Sequence, residues 1–535
     1  MVCDNFIKYS LSNGGILIPL VFDTGNSDVV GLCNPSIFKT SSGIKIIIRG
    51  VNYMLWKSEV ESRFTSKYGP LCYITPDNDN HLRTWNFICD FNNDSIGEPH
   101  IINTNNFDSE PLWDFVGLED ARLVEWDNKL YVTGVRRDTT ENGVGRMELC
   151  EIDRVDYKEI SRLRIDSPYG EDIYCEKNWM PIVDMPYHYV RWCNPLEIVK
   201  INPLDGTSEI VIKKEYNQSI ENLNYNETEI RGSSQIVNVG DYRVAIVHRC
   251  EMWVNEKGEK SQSKYVENFI VWDNEWNIVK ISKPFNFGSF DIEFTNGLLY
   301  DNGYYYIPFA LQDNMSYVLK IDDTTVNNFI FRDYFKCSDY ILNGNELIEF
   351  FNDTKDSYQC KNLGDIYYKN KQFSAAMVLY QRAVTYNTFK THEECYQAMY
   401  MTGKCLDDTV DRMEHLPTVW CNMINLLPYR SEGYYFMAWY YLLNGSIAEA
   451  YTFIQMTRKT NNFGYLGEFS NITKYDVEIL YIQILYGTEH YLECETYIDK
   501  LIKDEREKIP NDRLEEIINL LLILQNNKNN KKRML

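Results

Sequence analysis

The sequence predicts a multidomain β + α chain, a five-bladed β-propeller followed by an α-helical region of tetratricopeptide-like repeats. Three observations lead there. From about residue 15 to about 345, apolar and polar residues alternate with period 2 between turn signals. Polar openings followed by a hairpin recur five times in that span. From about residue 358 the period becomes that of helices.

The strands come first. "IKIIIRGVNY", "RTWNFICDF", "ARLVEWDNKLYVTGV", "SQIVNVGDYRVAIVHRC" and "GLLYDNGYYYIPFAL" alternate, and the turns "DNK", "VGDY" and "DNGY" carry the Asp, Asn and Gly that tight hairpins need. The openings are Asn34-Pro35-Ser36, Glu119-Asp120-Ala121-Arg122, Lys177-Asn178-Trp179, Arg231-Gly232-Ser233-Ser234 and Glu293 to Gly297. After the first gap they are spaced by roughly 55–65 residues, near one propeller blade with an insertion. In a propeller the inner strand of each blade starts near the central channel, so these polar residues would converge on one site. A two-sheet sandwich would scatter them.

The helices follow. "CKNLGDIYYKNKQFSAAMVLYQRAVTY" sets Leu363, Gly364, Tyr367, Ala376, Tyr380 and Ala383 at tetratricopeptide spacing, and Ala438, Tyr441, Ala450 and Ile454 form a second copy. A third candidate pair spans "DVEILYIQILYGTEHYLECETYIDKLIK". The expected domains are 1–345, 358–525 and a disordered basic tail, 526–535. At 535 residues the chain is too long for one core. The helical region could bind a protein partner along its concave face or simply pack on the propeller.

Composition excludes several classes. The net charge is −23, which argues against nucleic acid. No apolar run approaches the ~18–20 residues of a membrane span. The start, "MVCDNFIKYSLSNGG", lacks a basic region before an apolar core, so it does not read as a signal peptide. The 14 cysteines are scattered without a CxxC pair and read as reduced thiols of a cytoplasmic protein. With only seven dispersed His, no metal or other cofactor is expected. Aromatics at 14% supply cores and sugar-stacking surfaces.

Chemistry is expected at the hairpin openings. They gather Glu119, Asp120 and Arg122; Arg49; Arg136 and Arg137; Lys177; Arg231; His248 and Arg249; Glu293; and Asp313. Buried charges must pair or serve a ligand. An acid beside several cations suits displacement by an anion such as phosphate: the acid protonates the leaving oxygen and the cations hold the anion. Each residue also has a plainer reading. Arg122 beside Asp120 suits an ion pair at a strand end. Alternation lets only one of Arg136 and Arg137 point inward. Lys177 suits an ordinary loop, and His248 suits a structural core position.

"GLEDARLVEWDNKLYVTGVRR" resembles the G-x-E-D-x-R signature of glycoside hydrolase family 130 and its relatives, including glycosyltransferase family 108. The likeness continues in order through "NPSIF" and "IKIIIR", "EKNWMPIV", "YRVAIVHR" and "DIEFTNGLLYDNGYYYIPFALQDNMSYV", over roughly residues 30–325. It implies a five-bladed propeller that handles β-linked mannose with inversion. It implies Asp120 as general acid acting through a sugar hydroxyl. Arg49, Arg136 or Arg137, Lys177 and His248 would hold phosphate. Asn34, Asp313 and Glu293 would contact sugar, together with Glu119 and Arg231. The substrates would be a glycan or sugar phosphate, with phosphate or a sugar nucleotide as co-substrate. Departures are Ala121 for the family's proline, Val247-His248-Arg249 for Tyr-His-Gly, and Phe309 to Asp313 for the closing Tyr-Gly-x-x-Asp. Three readings stay open: a glycosyl transfer to or from phosphate, in glycan assembly; a sugar-nucleotide-dependent transfer; and a non-catalytic glycan-binding propeller whose helical arm recruits partners.

Overall fold

The structure, a computed structural model, describes residues 5–331 and 356–534, except 57–71, 77–78, 80, 171–174, 225–226, 255–259, 289–291, 410–411, 465, 467–471 and 489–490. The chain forms two compact units. One is Met1–Lys355 with Asn362–Leu379; the other is Asp356–Lys361 with Tyr380–Leu535.

The first unit is a five-bladed propeller. Blade one is built on Gly31–Thr40, Gly43–Val51 and Leu82–Asn92. Blade two runs Leu118–Trp126, Lys129–Arg136, Arg146–Ile152 and Glu159–Arg164. Blade three runs Met180–Pro181, His188–Cys193, Leu196–Ile201 and Ser208–Lys214. Blade four runs Arg231–Gly232, Tyr242–Val254, Lys260–Trp272 and Ile278–Ile281. Blade five runs Glu293–Phe294, Tyr304–Leu311 and Met315–Asp322, and takes its outer strand, Ile16–Pro19, from the start of the chain. Leu17 pairs with Leu319 across that seam. The loan closes the ring, which removes the open sheet edges that would invite aggregation.

Each blade is covered on both faces, so its middle strands are buried throughout rather than on alternate residues. Ile46, Ile47 and Ile48 are all fully buried, which accounts for the continuous "KIIIRG" run. One core joins blades two and three through Trp126, Trp179 and Tyr189. Another joins blades three and four through Trp272, Ile198 and Val247. The "WDNK" turn has Asp127 and Asn128 both at positive φ, the primed hairpin turn its composition predicts.

Polar side chains tie the inner strands across the channel. Arg122 Nε donates to the Ser233 carbonyl at 2.8 Å, and its Nη1 donates to the Asp120 carbonyl at 3.0 Å. Asn296 Nδ2 donates to the Ala121 carbonyl at 3.0 Å and the Asn34 carbonyl at 3.3 Å. The bonds to Asp120, Ala121 and Asn34 satisfy carbonyls that lie within strand bulges.

Residues of the first helical hairpin, Ser357–Lys369 and Phe373–Tyr386, belong in part to this unit. Tyr367 Oη donates to Tyr317 Oη at 2.8 Å, and Gln372 Nε2 donates to the Phe22 carbonyl at 3.0 Å. The Ser374 amide donates to the Val30 carbonyl at 2.9 Å.

The second unit stacks helices His392–Asp407, Leu416–Leu426, Glu432–Leu443, Ile447–Thr460, Lys474–Gly487, Tyr491–Glu505 and Asn511–Met534. Thr391 with Glu394, and Thr473 with Asp476, form capping boxes. Small residues set the close approaches expected of such repeats: Ala438 and Ala450 are fully buried. The last helix runs through residues 526–534, so the disordered tail read from composition is instead helical; a helix already nucleated propagates cheaply into Lys- and Asn-rich sequence. Among the described residues no helix is long and apolar enough to cross a membrane.

Candidate functional site

The inner strands of blades one and two break register at equivalent places, between Cys33 and Ser36 and between Glu119 and Arg122. At those bulges Asn34 lies at φ +45° and Asp120 at φ +50°. A bulge re-aims a side chain, and Asn and Asp are the non-glycine residues that best tolerate the left-handed region. Asn178, at the opening of blade three, and Asp313, in the hairpin turn of blade five, are also left-handed, at +61° and +50°.

These distortions bring the openings of blades one and two together, with the blade-five turn at Asp313 beside them. Asp120 Oδ1 accepts from Asn34 Nδ2 at 2.8 Å and from Arg49 Nη1 at 3.1 Å. Arg49 Nη2 lies 3.7 Å from Glu119 Oε2, and its Nε donates to Thr84 Oγ1 at 3.1 Å. Burial holds Glu119 above the usual carboxylate range, with Arg49 pulling it down and Asp120 pushing it up. Asp313 is raised in the same way: burial dominates, Arg49 opposes it and Asp120 adds to it. Glu119 and Asp313 therefore share the field of Arg49, and burial with the nearby Asp120 charge favours the protonated form of both. Glu119 Oε1 and Asn34 Oδ1 are buried here without a hydrogen-bond partner among the described residues.

Cations surround this acid cluster. Arg137 lies with its guanidinium 4.7 Å from the Phe115 ring and donates to the Gly143 carbonyl at 3.0 Å; its charge reaches Glu119 and Tyr73. Lys177 is exposed at the rim, and its charge reaches Glu119, Asp313 and His248. Lys177 and Arg231 share the wall of a cavity of about 140 Å³ with Asn178 and Trp192.

The other predicted site residues are elsewhere or otherwise engaged. Arg136 points to the opposite face and is tied to Glu148 at 2.8 Å and Asp138 at 3.4 Å, so it does not join the anion-holding set. Of the two adjacent arginines, Arg137 is the one on the cluster's side. Glu293 is fully buried and accepts from the backbone amides of Phe287 and Gly288; its carboxylate fixes a turn in blade five. Arg122 does not pair with the Asp120 carboxylate, because the bulge turns that carboxylate toward Arg49 and presents the carbonyl instead. Arg249 donates to the carbonyls of Thr228, Asn222 and Leu223 and holds a loop.

His248 is 2% exposed, stacked on Tyr265, with Nδ1 2.8 Å from Ser233 Oγ. Burial first, then Arg231, Lys177 and Arg122, push it well below the usual histidine value. It is a neutral ring at pH 7 and adds no charge to the anion set. The unfolded state binds this proton near pH 6.5 and the folded state does not, so acidification below about 6.5 destabilises the fold. His248→Gln should flatten stability between pH 5 and 6.5 in urea melts, removing a slope of up to ~1.4 kcal/mol per pH unit. Identical slopes for the two proteins would contradict a neutral His248.

Backbone packing between blades three and four is equally tight. A Cβ on Gly232 would lie 2.1 Å from the Asn178 carbonyl oxygen. Gly232→Ala must push the two openings apart and should destabilise the unit by about 1–3 kcal/mol, measured by the same melts. An unchanged midpoint would refute the close approach.

Tyr73 and Tyr265 were not legible as site residues in the sequence. Tyr73 lies in a short hairpin, Met54–Trp56 with Cys72–Ile74, inserted in blade one, and packs edge-on to Tyr53 at 5.2 Å. It feels Asp313, Glu119, Arg49 and Arg137, which sets it beside the cluster. Among the described residues no three His, Cys, Asp or Glu side chains converge as a metal site.

No family model matches the sequence, and no curated protein matches it. Solved structures resemble it. A β-1,2-mannobiose phosphorylase from Listeria innocua aligns with 56% of this chain and 92% of its own, at 11% identity and a TM-score of 0.34. A GDP-Man-dependent mannosyltransferase from Leishmania mexicana aligns with 57% of this chain and 90% of its own, at 14% identity and 0.36. The TPR-like repeats of a Podosopora anserina protein described as a kinesin light chain align with 33% of this chain and 88% of their own, at 10% identity and 0.27. The propeller itself rests on the closed strand order of the five blades.

Proposed function

We propose that the chain is a carbohydrate-active enzyme that transfers a glycosyl group with inversion, to or from phosphate. The observation that carries this reading is the bulge-aimed Asp120, shared between Asn34 and Arg49 and flanked by two further half-buried carboxyl groups. The ordered likeness of the five openings to glycoside hydrolase family 130 supports β-linked mannose as the sugar. In the reaction the bond from the anomeric carbon to the leaving oxygen breaks, and the proton of the Asp120 cluster passes to that oxygen through a sugar hydroxyl. A phosphate oxygen forms the new bond from the opposite face. Arg49, Arg137 and Lys177 hold the phosphate and stabilise its charge. Glu119, Asn34 and Asp313 contact sugar hydroxyls.

One observation favours a second reading. Lys177 and Arg231 line one cavity, and Lys177 and Arg137 both act on Glu119. That extended arrangement suits the diphosphate of a sugar nucleotide. Parallel assays separate the two: β-mannobiosides with phosphate against GDP-mannose with a mannoside acceptor. Mannose 1-phosphate supports the first reading, and GDP release coupled to a longer mannoside supports the second. Saccharide binding without turnover of either kind would overturn both in favour of a glycan-binding propeller.

A further inference from the structure

The hairpin turn that carries Asp313 is held from outside the propeller's own strands. Gln312, Asp313 and Asn314 join Tyr304–Leu311 to Met315–Asp322 in blade five. Gln312 lies at φ +52° and Asp313 at φ +50°, so two consecutive side chains occupy the left-handed region. Turns of that kind select Asn and Gly. Gln312 has neither the short polar side chain nor the missing Cβ that makes the conformation cheap. Such strain persists where surrounding contacts over-determine the backbone.

Those contacts come through Asn314 from the first helical hairpin. Asn314 is buried, and its Nδ2 donates to the Gln312 carbonyl at 2.5 Å, bridging the turn. Its Oδ1 accepts from Ser374 Oγ. Ser374 is fully buried in the first turn of helix Phe373–Tyr386. Amides in a helix's first turn have no partner inside the helix. That of Ser374 donates to the Val30 carbonyl, at the start of the strand Gly31–Thr40 that holds Asn34. The approach is close: a Cβ on Gly31 would lie 3.1 Å from Ser374 Cβ. Gln372 and Tyr367 anchor the same hairpin on either side, at the Phe22 carbonyl and the Tyr317 hydroxyl. Ser374 therefore joins the blade-five turn of Asp313 to the blade-one strand of Asn34. Without its hydroxyl, Asn314 Oδ1 would be left buried and unpaired, and the bridge to Gln312 would lose its support.

We propose that Ser374 is a positioning residue, fixing the Asp313 turn for the saccharide through Asn314, so that the first helical hairpin is part of the sugar site and not an appended arm. The sugar contact of Asp313 rests on the reading above; the support of the turn by Ser374 does not.

The test compares the full chain with its Ser374→Ala variant. Hydrogen exchange reads the turn directly, through the Gln312 and Asn314 amides that donate to the Ile292 and Leu311 carbonyls at 2.7 and 3.1 Å. Both amides should exchange about tenfold faster in Ser374→Ala, while those of Lys129–Arg136 in blade two stay as they are. In steady-state assays with a β-mannobioside and phosphate, the Michaelis constant for the saccharide should rise about three- to tenfold and that for phosphate should not move. Adding Gln312→Asn, which suits the left-handed position, should restore both readings. Unchanged exchange at the turn would overturn the proposal. So would an equal acceleration in blade two, a matching rise in the phosphate constant, or no recovery with Gln312→Asn. Faster exchange confined to the turn, with no turnover by any of the proteins, would sink the glycosyl-transfer reading and leave the Ser374 support standing.

Discussion

Asp120→Asn is expected to lower glycosyl transfer by about 10²–10⁴-fold with the fold intact. The asparagine keeps an oxygen where Asp120 Oδ1 accepts from Asn34 at 2.8 Å and Arg49 at 3.1 Å, so the bulge and its contacts can survive. What it cannot do is exchange a proton with the leaving oxygen. It also removes the negative charge that helps raise Glu119 and Asp313, so those two groups should titrate at lower pH in the variant. Steady-state rates, compared with urea midpoints of the same preparations, separate the chemical effect from a folding defect. Full activity in the variant would remove Asp120 from the chemistry and point to Glu119 or Asp313 as the proton donor.

Arg49→Leu carries the largest expected effect on stability. Arg49 is 4% exposed and is the guanidinium that reaches both Asp120 and Glu119. Its loss leaves half-buried carboxyl groups without their nearest cation, a change worth about 1–3 kcal/mol at pH 7. The sign with pH is definite. Glu119 and Asp313 already stand above their ordinary values, and without Arg49 they stand higher. A carboxyl group raised in the folded state favours folding at low pH and loses that contribution as pH rises through its folded value. The deficit of the variant should therefore be greatest at neutral pH and shrink on acidification toward pH 5. Urea melts at the two pH values test this, and phosphate should protect the wild type more than the variant. An equal deficit at both pH values would contradict an electrostatic role for Arg49.

Much of this arrangement was legible in the sequence, for identifiable reasons. The blades announce themselves through turn residues, since Asp127-Asn128 adopts the positive φ values that "WDNK" implies. The openings announce themselves because a bulge in the left-handed region selects Asn or Asp, hence Asn34 and Asp120. What stayed hidden depends on where a backbone group points. Arg122 reads as the partner of the Asp120 carboxylate until the bulge is seen to swap carboxylate for carbonyl. Arg136 and Arg137 are indistinguishable until the strand end shows which one faces Glu148. Glu293 has the right residue type at the right opening, yet its oxygens are taken by the amides of Phe287 and Gly288. Tyr73 sits in an insertion with no periodic signal of its own. The outer strand borrowed from Ile16–Pro19 is likewise invisible locally, because its partner Met315–Asp322 lies far along the chain.

The central claim is that the Asp120 cluster and its cations carry out an inverting glycosyl transfer. Proton NMR of the wild-type chain incubated with a β-mannobioside and inorganic phosphate tests it most directly. The account predicts α-mannose 1-phosphate that requires both substrates and is absent with Asp120→Asn. Retention as β-mannose 1-phosphate, or equal product from the Asp120 variant, would contradict it.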